Sequence, residues 1–174
     1  MKKLFLLLAS ALFLASCQTK ETKKADSVST DTTKYPYAIE KMQSWQMNTD
    51  SKNALTAMNL IKTFENLDTA SMGKILSDSV LFDLDGYQFK GTKSEFLKEI
   101  QREFAKMSSF KIKMLDFESV INTDKSEEWV SLWYKQISTT KDGKSDTIGL
   151  YNDIKLKDGK VVRLSEYVQH PAKK

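Results

Sequence analysis

The chain of 174 residues is poor in the residue types on which several kinds of site depend. It has one cysteine, Cys17, and one histidine, His170, so it offers neither a disulfide framework nor a Cys/His zinc cluster. A lone histidine near the end of the chain leaves no good place for a Ser-His-Asp triad. The six glycines form no glycine-rich phosphate loop. We therefore expect no metal and no cofactor.

Basic residues are in slight excess but are not concentrated. Lys and Arg number 27 and Asp and Glu number 23, which gives a formal net charge of +4. The lysines alternate with acidic residues and form no dense basic run, which argues against nucleic acid as a partner. Lys2 and Lys3 lie in a leader that we expect to be removed, and the remaining chain is then +2, because 27 − 2 − 23 = 2.

The start of the chain has the pattern of a bacterial lipoprotein leader, residues 1–16. Lys2 and Lys3 precede an apolar run that is too short to span a membrane comfortably. The run closes with Leu-Ala-Ser-Cys, which matches a lipobox, and the resemblance implies cleavage before Cys17 and a diacylglycerol thioether on its sulfur. The alternative is an ordinary secretory leader followed by a free thiol, which an oxidising compartment disfavours.

The residues after the lipobox indicate where the protein is held. Several acyl chains on Cys17 would anchor it to a membrane without spanning it. Gln18 follows the cysteine, and resemblance to the usual sorting rule then favours the outer membrane of the bacterial cell envelope. Residues 17–34 form the acylated cysteine and a polar tether with too few apolar residues to fold.

Residues 35–49 are predicted to be an N-terminal extension that packs outside the domain. Its apolar residues suggest a weak helical stripe formed by Ile39, Met42 and Trp45. The folded domain is predicted over residues 50–170. It begins with Asp50 as the N-cap of a helix of about four turns, and a short second helix is predicted to start at Thr69 or Ser71.

The stretch from Val80 to Lys106 carries the most local signals. A short strand is expected to end in Asp-Leu-Asp-Gly, and a turn closes at Gly91. Thr92 and Glu95 then form a capping box, which predicts a helix with Phe96, Ile100 and Phe104 on its apolar face.

After Ser109 the pattern becomes that of β-strands. Apolar and polar residues alternate, and Asp-Gly pairs mark two tight hairpin turns. The predicted strands cover residues 110–121, 128–139, 146–156 and 161–168. Helices followed by an antiparallel meander predict a single α+β domain.

This order resembles the NTF2-like superfamily, which includes the SnoaL-like cyclases and the ketosteroid isomerases. The best local matches are the Asp83-to-Gly86 strand end, the Gly91-Thr92 helix start, and the tail DIKLKDGKVVRLSEYV. The resemblance implies a cystatin-like cone over residues 50–170. In such a cone, three N-terminal helices pack on a curved antiparallel sheet, and a pocket opens at one end.

The resemblance implies an enzyme with Asp83 as general base, because the isomerases place an aspartate at this strand end. Those enzymes also need a tyrosine on the first helix and a second acid on a later strand. Here Phe64 is the only aromatic residue of the first helix, and Leu150 stands at the second position. Without these donors, isomerase chemistry of that kind is disfavoured. The enzyme alternative is therefore a SnoaL-like isomerase, lyase or hydrolase that uses Asp83.

A binding function is the other interpretation. Strand alternation places Asn152 on the face of Leu150, and if that face is concave, Asn152 is a polar group of the pocket. Asp85 is expected at the edge of the site, with wall or mouth residues at Tyr87, Trp133 and Tyr167. Such a pocket would hold a small hydrophobic ligand, although Trp133 can equally be explained by packing alone.

The predicted function is therefore a lipid-anchored envelope protein that binds a small hydrophobic ligand or a protein partner. An exposed apolar face of the sheet would also allow a homodimer to form.

Overall fold

The computed structural model describes residues 34–40 and 44–170. The predicted leader, Cys17 and nearly all of the tether lie outside the described residues. The chain divides into two compact units, Met1–Glu40 and Lys41–Lys174. Within the first, residues 34–40 form neither helix nor strand and are exposed. None of the helices in the described ranges has both the length and the apolar character that crossing a membrane requires.

The second unit is a mixed α+β structure, with three helices and a seven-stranded sheet in its described residues. The elements follow the chain in the order β1 (Trp45–Met47), α1 (Lys52–Glu65), α2 (Thr69–Ile75), β2 (Leu76–Leu84), β3 (Tyr87–Thr92), α3 (Lys93–Phe104), β4 (Met107–Asn122), β5 (Glu128–Thr140), β6 (Ser145–Lys157) and β7 (Lys160–Gln169). The four predicted strands of the meander are therefore confirmed as β4 to β7, each extended by one to three residues at one or both ends.

The strands are ordered β1-β4-β5-β6-β7-β2-β3 across the sheet. Neighbours are antiparallel except for β2 and β7, which are parallel. The paired positions of β2 and β7 end at Asp83 and Ser165. Beyond that point the end of β2 and the last residues of β7 are no longer paired with each other, although β7 stays paired with β6, and this leaves an opening at this end of the sheet.

The extension before residue 50 differs from the prediction. Its described end forms a strand instead of a helical stripe, with Trp45 opposite Asn122 and Met47 opposite Val120. The strand forms because of a tertiary contact. The backbone N–H and C=O groups along the edge of the long strand β4 need hydrogen-bond partners, and the short strand β1 supplies them. The sheet therefore includes residues that precede the predicted domain boundary.

The first two helices have the predicted lengths and nearly the predicted starts. Ser51, one residue after Asp50, is the N-cap of α1, while the Asp50 carboxylate accepts a 3.0 Å hydrogen bond from the Lys52 N–H. Asp68 caps α2 by accepting from the Ser71 N–H at 2.9 Å. Leu67, with a φ of 54°, separates the two helices.

The capping box at the start of α3 is confirmed. The Thr92 hydroxyl accepts from the Glu95 N–H at 3.3 Å, and the Glu95 carboxylate accepts from the Thr92 N–H at 2.9 Å. One turn further, Phe96 packs edge-on against Phe82 with ring centroids 4.5 Å apart. Both rings are fully buried, and each contributes roughly 1.5–3 kcal/mol of hydrophobic stabilisation.

The predicted strand alternation is confirmed in β5 and β6. The buried members include Val130, Leu132 and Tyr134 on β5, and Leu150, Asn152 and Ile154 on β6. They belong to the inner face of the sheet, where the hydrophobic core lies. The opposite, outer face carries Trp133 and Tyr151. The face bearing Leu150 is thus the inner one.

Candidate functional site

Three polar side chains lie on the inner face at the end of the core. They are Tyr134 on β5, Asn152 on β6 and Glu166 on β7. Asn152 is directly opposite Glu166 in the β6–β7 pairing, and Tyr134 is directly opposite Leu150, two residues before Asn152. The sheet register therefore brings the three groups together across neighbouring strands.

Asn152 is the central member of this cluster and is only 1% exposed. Its Nδ2 donates a 2.9 Å hydrogen bond to the phenol oxygen of Tyr134. Its Oδ1 is buried and has no hydrogen-bond partner among the described residues. A buried acceptor without a donor costs roughly 1–3 kcal/mol of stability.

Glu166 is half-buried beside Asn152. Burial, followed by the negative charge of Asp85, raises the pKa of Glu166 to about 6, against a lowering effect of the Asn152 amide. Burial likewise raises the pKa of Tyr134 far above its ordinary value, so its phenol stays protonated. Glu166 is the one of these groups that changes protonation near neutral pH.

A cleft of about 520 Å³ opens where β2 and β7 stop pairing. One wall is the β2–β3 turn, with Leu84, Asp85 and Tyr87, and the other is the end of β7, with Glu166 and Tyr167. The cleft lies where the sheet opens, so it also includes Asp83 and Tyr167 from the outer face, and it gives Glu166 access to solvent.

A second groove, of about 570 Å³, continues from this cleft along α3. Leu84 and Tyr87 line both cavities, and Phe96 and Ile100 add apolar surface. The Tyr87 hydroxyl donates a hydrogen bond to Glu99 on α3, and that bond raises the pKa of the tyrosine. Tyr87 therefore stands between the polar cleft and the more apolar groove.

Asp83 lies on the other side of the sheet. It is opposite Ser165 on β7, and Ser165 is opposite Asp153, whose face is the outer one. The Asp83 carboxylate forms a 3.0 Å ion pair with Arg163 and accepts a hydrogen bond from Gln88. The structure does not bring Asp83 together with Asn152, although Asp83 lines the same cleft as Glu166. The role of Asp83 as general base stays a prediction. The ion pair with Arg163 argues against that role.

Most of the predicted binding residues lie at or next to the cleft, and Trp133 does not. Asp85, Tyr87 and Tyr167 line the cleft, and Asn152 lies behind Glu166 on the inner face. Trp133 lies on the outer face, in a row with Tyr151 and Tyr167 whose ring centroids are 5.0 and 5.6 Å apart. Trp133 therefore does not meet the other predicted members inside the sheet.

His170 lies at the rim, as expected for a residue at the end of the last strand. Its Nε2 is 3.3 Å from a carboxylate oxygen of Asp85, an ion pair only when the imidazole is protonated. Residues 34–40 and 44–170 hold no group of three or more His, Cys, Asp or Glu side chains suited to a metal ion.

Tyr134 and Glu166 were not among the predicted site residues. A signal for Glu166 is present in the tail, where Leu164, Glu166 and Val168 share one face of a strand. An acidic residue between two apolar ones on an inward face breaks the expected pattern and marks a functional candidate. Tyr134 follows Leu132 on the same face but looks like an ordinary core aromatic.

A further cavity, of about 740 Å³, lies at the opposite end of the sheet, between β1 and the start of α1. Asn53 donates a hydrogen bond to Glu128 there, and Met47 and Leu55 are exposed at its edge. The two polar side chains of that pair are satisfied by each other.

Comparison with known proteins addresses the fold. No family model matches the chain, and no curated protein matches its sequence. Among solved structures, the LEH-like epoxide hydrolase of M. tuberculosis is 11% identical, over 70% of this chain and 86% of its own, with a TM-score of 0.58. An NTF2-like protein of unknown function from Burkholderia pseudomallei K96243 is 15% identical, over 69% and 92%, with a TM-score of 0.57.

A proposed polyketide cyclase from Xanthomonas campestris pv. campestris is 16% identical, over 67% of this chain and 90% of its own, with a TM-score of 0.51. At these identities the likeness concerns the fold alone. The second unit of this chain thus has an NTF2-like fold, as its sequence motifs predict.

Proposed function

We propose that this protein binds a small, largely apolar ligand in the cleft beside Glu166. The observation that carries the proposal is the half-buried carboxyl group of Glu166, which has no Lys or Arg partner among the described residues and lines a cleft of about 520 Å³ that adjoins an apolar groove. Small-molecule sites typically combine apolar walls with a few convergent polar groups. Leu84, Phe96 and Ile100 supply the apolar walls here.

Heteronuclear NMR tests this proposal. Titration with hexanol, a small molecule with an apolar chain and one hydroxyl, should move the backbone signals of Leu84, Glu166 and Val168, which line the cleft. Leu84→Trp, whose larger side chain occupies the cleft, should reduce the affinity by about tenfold, which corresponds to about 1.4 kcal/mol. Shifts confined to the cavity near Asn53, or none at all, would contradict the proposal.

An acid–base enzyme is the second candidate, and the raised pKa of Glu166 is the observation that favours it. A carboxyl group with a pKa of about 6 is suited to general acid or base catalysis near neutral pH. Neighbours of the same fold include an epoxide hydrolase and a proposed polyketide cyclase. In this alternative Glu166 takes the role first assigned to Asp83. Loss of turnover with retained binding in Glu166→Gln would distinguish an enzyme from a binding protein.

The predicted anchor is part of the proposed function. We propose that Cys17 carries the lipid that holds the domain at the outer membrane of a bacterial envelope, as the lipobox pattern implies. Metabolic labelling with a radioactive fatty acid should mark the wild type and not Cys17→Ser. Equal labelling of both proteins would contradict the anchor.

The outer face of the sheet is a candidate surface for a protein partner or a second copy of the chain. The row of Trp133, Tyr151 and Tyr167 supports this, since Tyr167 is 58% exposed. Aromatic residues are enriched in the energetic centres of protein interfaces. Light scattering should show a dimer that Tyr167→Lys dissociates. If the wild type is a monomer, the second copy of the chain is excluded, and only a different protein is left as the partner of this surface.

A further inference from the structure

Glu166 lies where the hydrophobic core meets the cleft. On the inner face of β7 its neighbours are Leu164, which is 2% exposed, and Val168, which packs against the core. Glu166 also lines the cleft of about 520 Å³, through which solvent reaches its carboxyl group. A molecule that fills the cleft therefore covers Glu166 and completes its burial.

The ionised form of Glu166 has little support from its surroundings. Among the described residues, no Lys or Arg pairs with it, and Asp85 on the opposite wall of the cleft adds a second negative charge. The amide of Asn152 favours the ionised form, but burial and Asp85 outweigh it and raise the pKa of Glu166 to about 6. In the folded protein, Glu166 is therefore already close to taking up a proton at neutral pH.

The two aspartates that line the cleft have partners. Asp83 forms a 3.0 Å ion pair with Arg163 on the outer face. Asp85 lies 3.3 Å from Nε2 of His170 at the rim, which is an ion pair when the imidazole is protonated. Histidine side chains change charge between about pH 5 and pH 8, so a test of Glu166 has to separate it from His170.

Two further elements border the inner side of the cleft. On β5, the phenol of Tyr134 stays protonated, because burial and the charge of Glu166 raise its pKa. On α3, Glu99 accepts a hydrogen bond from Tyr87, and Glu99 and Arg102 shift the pKa of that tyrosine in opposite directions. The pKa of Glu166 itself is set by its burial, by Asp85 and by Asn152.

An apolar ligand in the cleft would displace the water that stabilises the ionised carboxyl group. Taking an ionised carboxylate out of water costs far more than taking out the neutral acid, so covering Glu166 favours its protonated form. By linkage, protonation of Glu166 must then favour the ligand by the same factor. The position of Glu166 on the wall of the cleft therefore couples the binding of an apolar ligand to the binding of a proton.

We propose that the cleft takes up its apolar ligand together with a proton, which Glu166 binds, so that the ligand is held at acidic pH and released as the pH rises. The proton comes from solvent and returns to solvent when the ligand leaves. This inference rests on the proposed binding function and adds the regulation of the same site.

Isothermal titration calorimetry of the purified chain tests the inference, with toluene as an apolar probe that has no hydrogen-bonding group. The affinity of the wild type for toluene should fall by about tenfold between about pH 5 and about pH 8. Titrations at about pH 6.5 in two buffers of different ionisation enthalpy should show a net uptake of protons. Glu166→Gln should take up no proton, and its affinity should stay within about twofold of the wild-type value at about pH 5 over the whole range.

Two control variants separate Glu166 from the other ionisable groups. Glu118→Gln makes the same chemical change at an exposed position of β4 and should keep the full pH dependence. His170→Gln removes the imidazole beside Asp85 at the rim and should keep the pH dependence to within about twofold.

Each contrary result bears on a different claim. Toluene binding that does not change with pH, or that strengthens as the pH rises, would overturn the proton coupling and leave a ligand cleft in place. A pH dependence that persists in Glu166→Gln, or that His170→Gln abolishes, would also overturn the coupling through Glu166. If toluene binds to the wild type at no pH, both the coupling and the proposed binding function are contradicted.

Discussion

The side-chain amide of Asn152 donates a 2.9 Å hydrogen bond to the phenol oxygen of Tyr134, which leaves its own carbonyl oxygen buried and unpaired. The two residues come from neighbouring strands and lie at the end of the hydrophobic core. This bond fixes the orientation of the amide and directs its acceptor away from Tyr134. The pair thus closes the end of the core behind Glu166.

Tyr134→Phe should destabilise the protein, because it removes the acceptor of the Asn152 amide and leaves a buried donor unpaired. The expected loss in the free energy of unfolding is about 1–3 kcal/mol. Urea denaturation measures it. Asn152→Leu combined with Tyr134→Phe should recover part of the loss, since both polar groups are then removed together.

Tyr151→Phe is the matched control for Tyr134→Phe. The Tyr151 hydroxyl donates to Asp153 at 2.8 Å on the outer face, where water can replace the lost partner. The loss in the free energy of unfolding of Tyr151→Phe should stay below about 1 kcal/mol. An equal loss in Tyr134→Phe and Tyr151→Phe would contradict a special role for the buried pair.

Glu166 should make the folded state less stable as the pH rises. Its pKa is about 6 in the folded protein and 4.5 as the ordinary value, so the folded state binds more protons between these values. Its contribution is therefore lost as the pH rises from about 4.5 through about 6 and stays lost above that range. Glu166→Gln should be more stable than the wild type at neutral pH, by up to about 2 kcal/mol, and no more stable near pH 4.

The comparison of wild type with Glu166→Gln at each pH isolates this group. Other carboxyl groups, such as those of Glu65 and Asp68, have pKa values lowered by hydrogen bonds and contribute with the opposite sign. Their effects are common to both proteins and cancel. A stability difference that does not change with pH would show that Glu166 titrates like an exposed glutamate.

Asp83→Asn should have a small effect. The ion pair with Arg163 is partly exposed on both sides, so its loss should cost less than about 1 kcal/mol of stability. The change in affinity for hexanol should be less than about threefold, because Asp83 lines the cleft from the outer face and its carboxylate is already paired with Arg163. A larger loss of affinity would show that Asp83 is a main binding residue of the site.

Thr92→Ala should cost about 1 kcal/mol of stability, because it removes the hydroxyl that accepts from the Glu95 N–H at the start of α3. Ser94→Ala, two residues further at an exposed position, is the control and should be neutral or slightly stabilising. Thermal unfolding followed by circular dichroism measures both. Equal melting temperatures for the two variants would contradict the role of the capping box.

Much of the fold could be predicted because its signals are local. The capping box of Thr92 and Glu95 starts α3, and the Asp-Gly pairs at Gly143 and Gly159, both with positive φ, close two hairpins. Alternation also separates the two faces of β5 and β6. These features depend on residues a few positions apart and are therefore visible in the sequence.

The site was harder to predict because its arrangement depends on distant pairings. Alternation with the buried Val80 and Phe82 already places Asp83 on the outer face, but only the parallel pairing of β2 with β7 brings Arg163 to it. The same pairing ends early and opens the cleft at Glu166. Strand β1 was missed for a similar reason, since only the edge of β4 makes Trp45–Met47 a strand.

Native mass spectrometry of the purified chain tests most directly whether the cleft beside Glu166 holds a ligand. The spectrum should show an adduct of discrete mass that denaturation removes. Leu84→Trp, whose larger side chain occupies the cleft, should lose the adduct, while Leu115→Trp, at an exposed position of β4, should keep it. A wild-type spectrum without an adduct, or an adduct equally present in both variants, would contradict the binding site.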